Sequence, residues 1–153
     1  MAVLLRPYES ADFVRLYALD HRCFPPGIAY SKRMLRYFLR APQSECFVAV
    51  KDEQIAAFII TEAKGSLGRI LTLDVEESQR RFGLGSLLLT RSEESMAGRR
   101  VREVMLETSV ENAAGIAFWQ RHGFRTVGVL RGYYLGRVDA YEMRKEIIVA
   151  QTI

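Results

Sequence analysis

The chain has 153 residues, one domain's worth, and its 49% hydrophobic and 26% charged composition is ordinary for a globular protein, which excludes a disordered or low-complexity chain. A net charge of +4 and a pI near 9.3 suit a polyanionic ligand or an acidic partner, but the excess is spread along the chain, which argues against nucleic acid. Cys23 and Cys46 lack metal-ligand spacing, and His21 and His122 are the only histidines, which argues against a metal site.

No run approaches the roughly 18 apolar residues of a membrane span. The first residues also lack a basic leader followed by a long apolar stretch. The expectation is a soluble, cytoplasmic protein with one domain over 1–153.

Residues 3–6 read as a first strand. Ser10 opens a helix through residue 23 with an apolar stripe of Phe13, Leu16, Tyr17 and Leu19. A loop at 24–30 follows, and Ser31 then caps a second helix carrying Met34, Leu35, Phe38 and Leu39, which ends near Pro42. Two strands, 46–51 and 54–62, are joined by a hairpin at Asp52 and Glu53. A glycine turn at 65–68 leads into a strand at 69–75. Downstream, a helix runs to about Ala97 with Gly98 as its C' residue, and Arg99, Arg100 and Arg102 form a solvated basic cluster. A strand within 101–108, a helix from Asn112 to His122 closed by Gly123, strands at 125–130 and 140–148, and an aromatic loop at 131–139 complete the chain. The order β-α-α-β-β-β-α-β-α-β-β predicts an α/β architecture, a mixed sheet of about seven strands flanked by about four helices.

The most informative stretch is Val75-Glu76-Glu77-Ser78-Gln79-Arg80-Arg81-Phe82-Gly83-Leu84-Gly85-Ser86, which joins an apolar strand to a leucine-rich helix. First-turn amides have no intrahelical acceptor and sit at the positive end of the helix dipole, so an anion can bind there. Gly83 and Gly85 permit close backbone approach, while Arg80 and Arg81 add charge. No Lys followed by Ser or Thr closes the segment, as a P-loop requires, and the third glycine of a dinucleotide fingerprint is absent. Arg80-x-x-Gly83-x-Gly85 resembles the acyl-CoA motif of the GCN5-related N-acetyltransferases, and the predicted element order is similar to that family over nearly the whole chain.

A second segment, from Glu107 through Asn112 and Trp119 to Gly123-Phe124, resembles the family's other cofactor segment. Phe24-Pro25, Tyr30-Ser31, Gly132-Tyr133-Tyr134 and Asp139-Ala140-Tyr141-x-Met143 resemble the branch that acetylates protein N-termini, including ribosomal-protein alanine acetyltransferases. The resemblance implies that Leu73, Val75, Arg80, Arg81, Phe82, Gly83, Leu84, Gly85, Ser86, Asn112 and Trp119 hold acetyl-CoA. It also implies that Phe24, Ile28, Tyr30, Tyr133 and Asp139 face the acceptor. Trp119 stands where that branch commonly has a tyrosine acid, and an indole donates no acidic proton at useful pH. Tyr133 or Tyr134 can serve instead, and a thiol leaving group with a pKa near 8.5 reduces the need for an acid.

The implied reaction is direct acyl transfer, with a backbone N–H near Val75 facing the developing oxyanion and Glu107 as base. A glutamate of ordinary pKa, near 4.3, is a weak base unless its site raises that value or it works through water. Such a base suits a protein α-amine, possible on a ribosomal protein, better than a lysine. A small-molecule amine or lysine acetyltransferase shares the same cofactor half. A non-catalytic acyl-CoA-binding or ribosome-associated module is the reading of another class.

Overall fold

Seven strands form a single sheet in the order β1-β2-β3-β4-β5-β7-β6 in the computed structural model, which describes residues 2–147. In chain order the elements are β1 (Val3–Pro7), α1 (Phe13–Cys23), α2 (Lys32–Arg40), β2 (Ser44–Lys51), β3 (Gln54–Lys64), β4 (Leu67–Val75), α3 (Leu84–Gly98), β5 (Glu103–Ser109), α4 (Ala113–Arg121), β6 (Arg125–Tyr134) and β7 (Val138–Glu146). Short 3-10 turns at Ser10–Asp12 and Glu77–Phe82 precede α1 and α3. The predicted order and mixed sheet are those observed. Of the predicted last strand, Ile148 lies outside the described residues.

Local chemistry accounts for most boundaries. Ser31 caps α2 by accepting the Met34 N–H at 3.2 Å, and Asn112 caps α4 by accepting the Gly115 N–H at 3.0 Å. The tight β2–β3 turn holds Asp52 and Glu53 at φ 53° and 64°, the twist a two-residue hairpin requires. Two expectations are corrected. Gly98 lies inside α3, and the left-handed residue after the helix is Arg100, at φ 68°. The aromatic stretch 131–139 is mostly strand: β6 continues through Tyr134 and β7 begins at Val138, so only 135–137 form the turn.

The sheet is apolar on both faces. On one side Leu84, Leu88, Leu89 and Met96 of α3 pack with Ile59, Ile70, Val104, Leu106 and Trp119. On the other, Phe13, Leu16 and Leu19 of α1 and Leu35 of α2 pack with Val48, Phe58 and Ile60. Burial of each such Leu or Ile contributes about 1.5–3 kcal/mol, which holds the helices while the sheet opens between them.

The opening lies between β4 and β5, the one parallel pair among the described residues. They are paired only at Leu67↔Glu103, Gly68↔Val104 and Arg69↔Met105, and then diverge. The Glu76 N–H donates to Ala56 O, so alternation turns the main-chain groups of Leu73 and Val75 away from β3. The Val110 N–H donates to Asp139 O, and the same alternation turns Glu107 and Ser109 away from β7. Both pairs of residues therefore face the opening. A register shift in β4 near Leu71 sets the phase beyond it: Leu73 and Val75 pack toward α3, while Leu71 packs toward α1 and α2.

Candidate active site

Beyond β4 the chain makes its 3-10 turn and reaches Gly83, the N-cap of α3, at φ 74° with open space where a Cβ would stand. No side chain caps α3, and the Leu87 N–H to Gly83 O bond, at 3.1 Å, closes its first turn. The N–H groups of Leu84, Gly85 and Ser86 therefore have no intrahelical acceptor. Leu84 is fully buried and anchors the turn. A Cβ on Gly85 would stand 3.3 Å from the Phe118 ring and 3.6 Å from Leu73, so glycine is what lets the helix start come this close to β4 and α4.

The two predicted phosphate arginines are both exposed but differ in their contacts. Arg80 folds back, its Nε donating to Val75 O at 3.2 Å and its Nη2 lying 3.9 Å from Cys23 Sγ. Arg81 is exposed. Phe82 lies under Lys51 Nζ, 3.2 Å from its ring centroid, a cation–π contact that tethers the turn to β2. Ser86 Oγ is 2.9 Å from His122 Nε2, and burial, then Lys145 and Arg121, hold that imidazole below its ordinary pKa.

On the far side of the opening the Asn112 oxygen is occupied by its cap, which leaves the amide nitrogen as its remaining donor group. Trp119 is buried, edge-on to Phe118 and Phe124 at 5.0 and 5.4 Å, and is part of the core. The α4 ring that meets the helix start is Phe118.

Glu107 sits in a charged cluster at the base of the opening. Its Oε2 accepts from Arg69 Nε at 3.2 Å and lies 3.1 Å from Arg69 Nη2. The same Nη2 donates to Tyr133 Oη at 3.2 Å, and Arg69 Nη1 is 3.8 Å from Glu62. Tyr133 and Tyr134 stand edge to face at 4.9 Å. Burial pushes the Tyr134 phenol up to about 12, with Tyr133 and Glu107 adding to it, so Tyr134 keeps its proton at neutral pH. Burial and Glu107 also raise the Tyr133 phenol.

The 24–30 loop closes this cluster from the α1 side. Phe24 caps α1, and Ile28 and Ala29 donate to Pro25 O at 3.1 and 3.0 Å. Tyr30 Oη donates to Leu71 O at 2.9 Å, and its ring packs edge-on against Phe38. Leu135, at the tip of the β6–β7 hairpin, packs so closely on Gly27 that a Cβ there would lie 2.6 Å from it, so the two loops touch. Asp139 Oδ1 accepts the Gly132 N–H at 2.8 Å and braces the hairpin.

Sequence reading missed Arg69, which organises Glu107, Tyr133 and Glu62, and also missed Asp20 and Asp74. Both aspartates are 1% exposed. Their signal was available, since each interrupts an apolar run, Leu19-Asp20 and Leu73-Asp74-Val75, at a position that should be buried.

The sequence matches the family model described as Acetyltransferase (GNAT) family over residues 13–124. N-alpha-acetyltransferase 30 of Schizosaccharomyces pombe is 32% identical over 117 residues, covering 73% of this chain and 78% of that protein. An N-alpha-acetyltransferase of Sulfurisphaera tokodaii is 30% identical over 156 aligned residues, covering 91% and 90%. The crystal structure of the ribosomal-protein-S18-alanine N-acetyltransferase from Escherichia coli superposes with a TM-score of 0.87 at 25% identity, covering 98% of this chain and 97% of that one. A sheet that opens beside an uncapped glycine helix start, joined to these matches, means that the chain belongs to the GNAT acetyltransferase family and is an N-acetyltransferase.

Proposed function

We propose that the chain transfers the acetyl group of acetyl-CoA directly to the α-amine of a protein N-terminus. The residues present fit that cosubstrate: three helix-start amides without intrahelical acceptors, an exposed Arg81, and main-chain edges on both sides of the opening. Acetyl-CoA, when bound, supplies a thioester, an activated acyl carbon with a thiolate leaving group. The main-chain groups of Leu73 and Val75 face the opening, where an N–H donor would meet negative charge developing on the acyl oxygen.

The contact of Gly27 with Leu135 carries the choice of acceptor. Two loops that touch beside the Glu107 cluster favour an end-on approach, which a chain terminus can make and the middle of a strand or helix cannot. The proton chemistry points the same way. At pH 7 an α-amine of pKa near 8 is roughly one-tenth neutral, whereas a lysine of pKa near 10.4 is neutral at under about one part in a thousand. Glu107, held in place by Arg69, needs only to relay a proton from an amine already partly neutral. Tyr134 holds a proton available to the departing sulfur.

Relatives named for N-terminal acetylation support this reading, and one is named for an alanine of ribosomal protein S18. A ribosomal N-terminus in the cytoplasm is the acceptor and setting we infer. The test incubates the protein with acetyl-CoA and peptides that differ in their first residues, alongside N-terminally blocked lysine peptides and polyamines, and reads released thiol and product mass. Acetylation confined to free α-amines is expected; turnover of the blocked lysine peptides or polyamines at equal rate would overturn the acceptor assignment.

A further inference from the structure

Asp20 of α1 and Asp74 of β4, each 1% exposed, face each other where α1 packs on β4, with Cys23 Sγ donating to Val75 O at 3.4 Å beside them. Elsewhere this protein neutralises a buried aspartate with an arginine: Asp12 receives Arg6 at 2.8 and 3.0 Å. Among the described residues no ion pair involves Asp20 or Asp74. Asp20 Oδ2 accepts the Tyr30 N–H at 2.7 Å, and Asp74 Oδ1 accepts the Thr72 hydroxyl. That leaves Asp20 Oδ1 and Asp74 Oδ2, both fully buried and both without another partner. Two such carboxylates cannot both be charged at close range without a large desolvation and repulsion cost, and one proton between them satisfies both orphan oxygens.

We propose that Asp20 and Asp74 share one proton, and that this proton makes Asp74 the positioning residue that holds the 24–30 loop on the central strand for acceptor binding. The proposal rests on the reading of 24–30 as the acceptor loop. The chain of contacts is short: Tyr30 N–H to Asp20, Asp20 through the proton to Asp74, and Asp74 within the strand whose neighbours Leu73 and Val75 face the opening. Tyr30 Oη on Leu71 O makes a second tie to the same strand, and His21 Nε2, 2.8 Å from Tyr30 O, a third to α1.

The titratable and charged groups around the pair come from each element packed against it. From α1 come Asp20 and Cys23, from the loop Tyr30, from β2 Cys46, and from the 3-10 turn Arg80. Burial first and Asp20 second hold the Asp74 carboxyl well above the usual carboxylate range, and only Thr72 and Arg80 pull it down. Cys23, Cys46 and Tyr30 are themselves raised by burial and stay neutral, so no group switches on to replace the proton when it leaves. Above that pH two buried anions face each other and the loop comes off the strand.

Asp74→Asn keeps a donor toward Asp20 but cannot ionise. The native enzyme's kcat/KM for an N-terminal peptide is expected to fall on the alkaline side and that of Asp74→Asn is not, with KM for acetyl-CoA within about twofold. Asp74→Ala breaks the tie and is expected to raise peptide KM about tenfold with kcat little changed, the pattern of lost binding geometry. A native-like pH profile for Asp74→Asn would overturn the proposal. A second measurement needs neither a variant nor a substrate: a carbon-13 titration of aspartate carboxyls in the native protein, with the protection factor of the Tyr30 amide. One aspartate carboxyl protonated at pH 7, with Tyr30 protection lost as it titrates, is expected; all aspartates ionised at pH 7 would overturn it. Because that titration involves no acceptor, it stands even where peptide acetylation fails.

Discussion

The two halves of the active site are built in different ways. The cofactor half is built mainly on one continuous stretch, Leu73 to Ser86, in which main-chain amides and two glycines supply the chemistry. The acceptor half gathers Tyr30, Glu62, Arg69, Glu107 and Tyr133 from four strands and a loop, and works through side chains. A main-chain site tolerates most changes of side chain but not the loss of its glycines. A side-chain site fails one function at a time, so the two halves should break differently.

Glu107→Gln tests this most strongly. Its turnover should fall roughly a hundredfold, the usual scale of proton-transfer catalysis, while acetyl-CoA affinity measured by calorimetry stays unchanged. A fall in both together would erase the division. Gly85→Val should do the reverse, because its side chain meets Phe118 and Leu73 at the helix start. Acetyl-CoA affinity should drop about thirtyfold, or about 2 kcal/mol, with peptide KM at saturating cosubstrate little altered.

A smaller effect follows from Asp74. Its folded pKa is raised and its unfolded value is ordinary, so the folded chain binds that proton more tightly. The stability this contributes is complete below about pH 3.9 and is lost as pH rises toward the folded pKa. Asp74→Asn has no such loss, so its Tm relative to the native protein should climb between pH 4 and 8, reaching about 3 °C per kcal/mol relieved. A constant offset across that range, seen by scanning calorimetry, would show that Asp74 is already ionised. Ser31→Ala, at the cap of α2, should cost about 1 kcal/mol in denaturant unfolding.

What was legible in the sequence follows the same division. The glycine turn, the caps at Ser31 and Asn112 and the β2–β3 hairpin are local, and local chemistry predicts them. Continuation of β6 through Gly132, Tyr133 and Tyr134 depends on β7 lying alongside, and glycine with two tyrosines before a turn reads equally well as loop. Arg69 is an ordinary strand charge until β5 brings Glu107 beside it. Trp119 occupies a motif position, yet its ring turns to the core because Phe118, one residue earlier on α4, meets the helix start. Asp20 and Asp74 acquire meaning only as a pair, 54 positions apart in the chain.

The three paired positions between β4 and β5 also make the sheet two panels on a short hinge, β1 to β4 on one side and β5 to β7 on the other. Edges that face each other without pairing are where cohesion is lowest, so heat or pulling force should part the panels there first. A ligand with polar groups for both edges would act as mortar, and the enzyme's toughness would then track its cosubstrate supply. Amides of Glu107 and Ser109 should exchange faster than those of Glu103 and Met105 in the ligand-free chain, and acetyl-CoA should slow them.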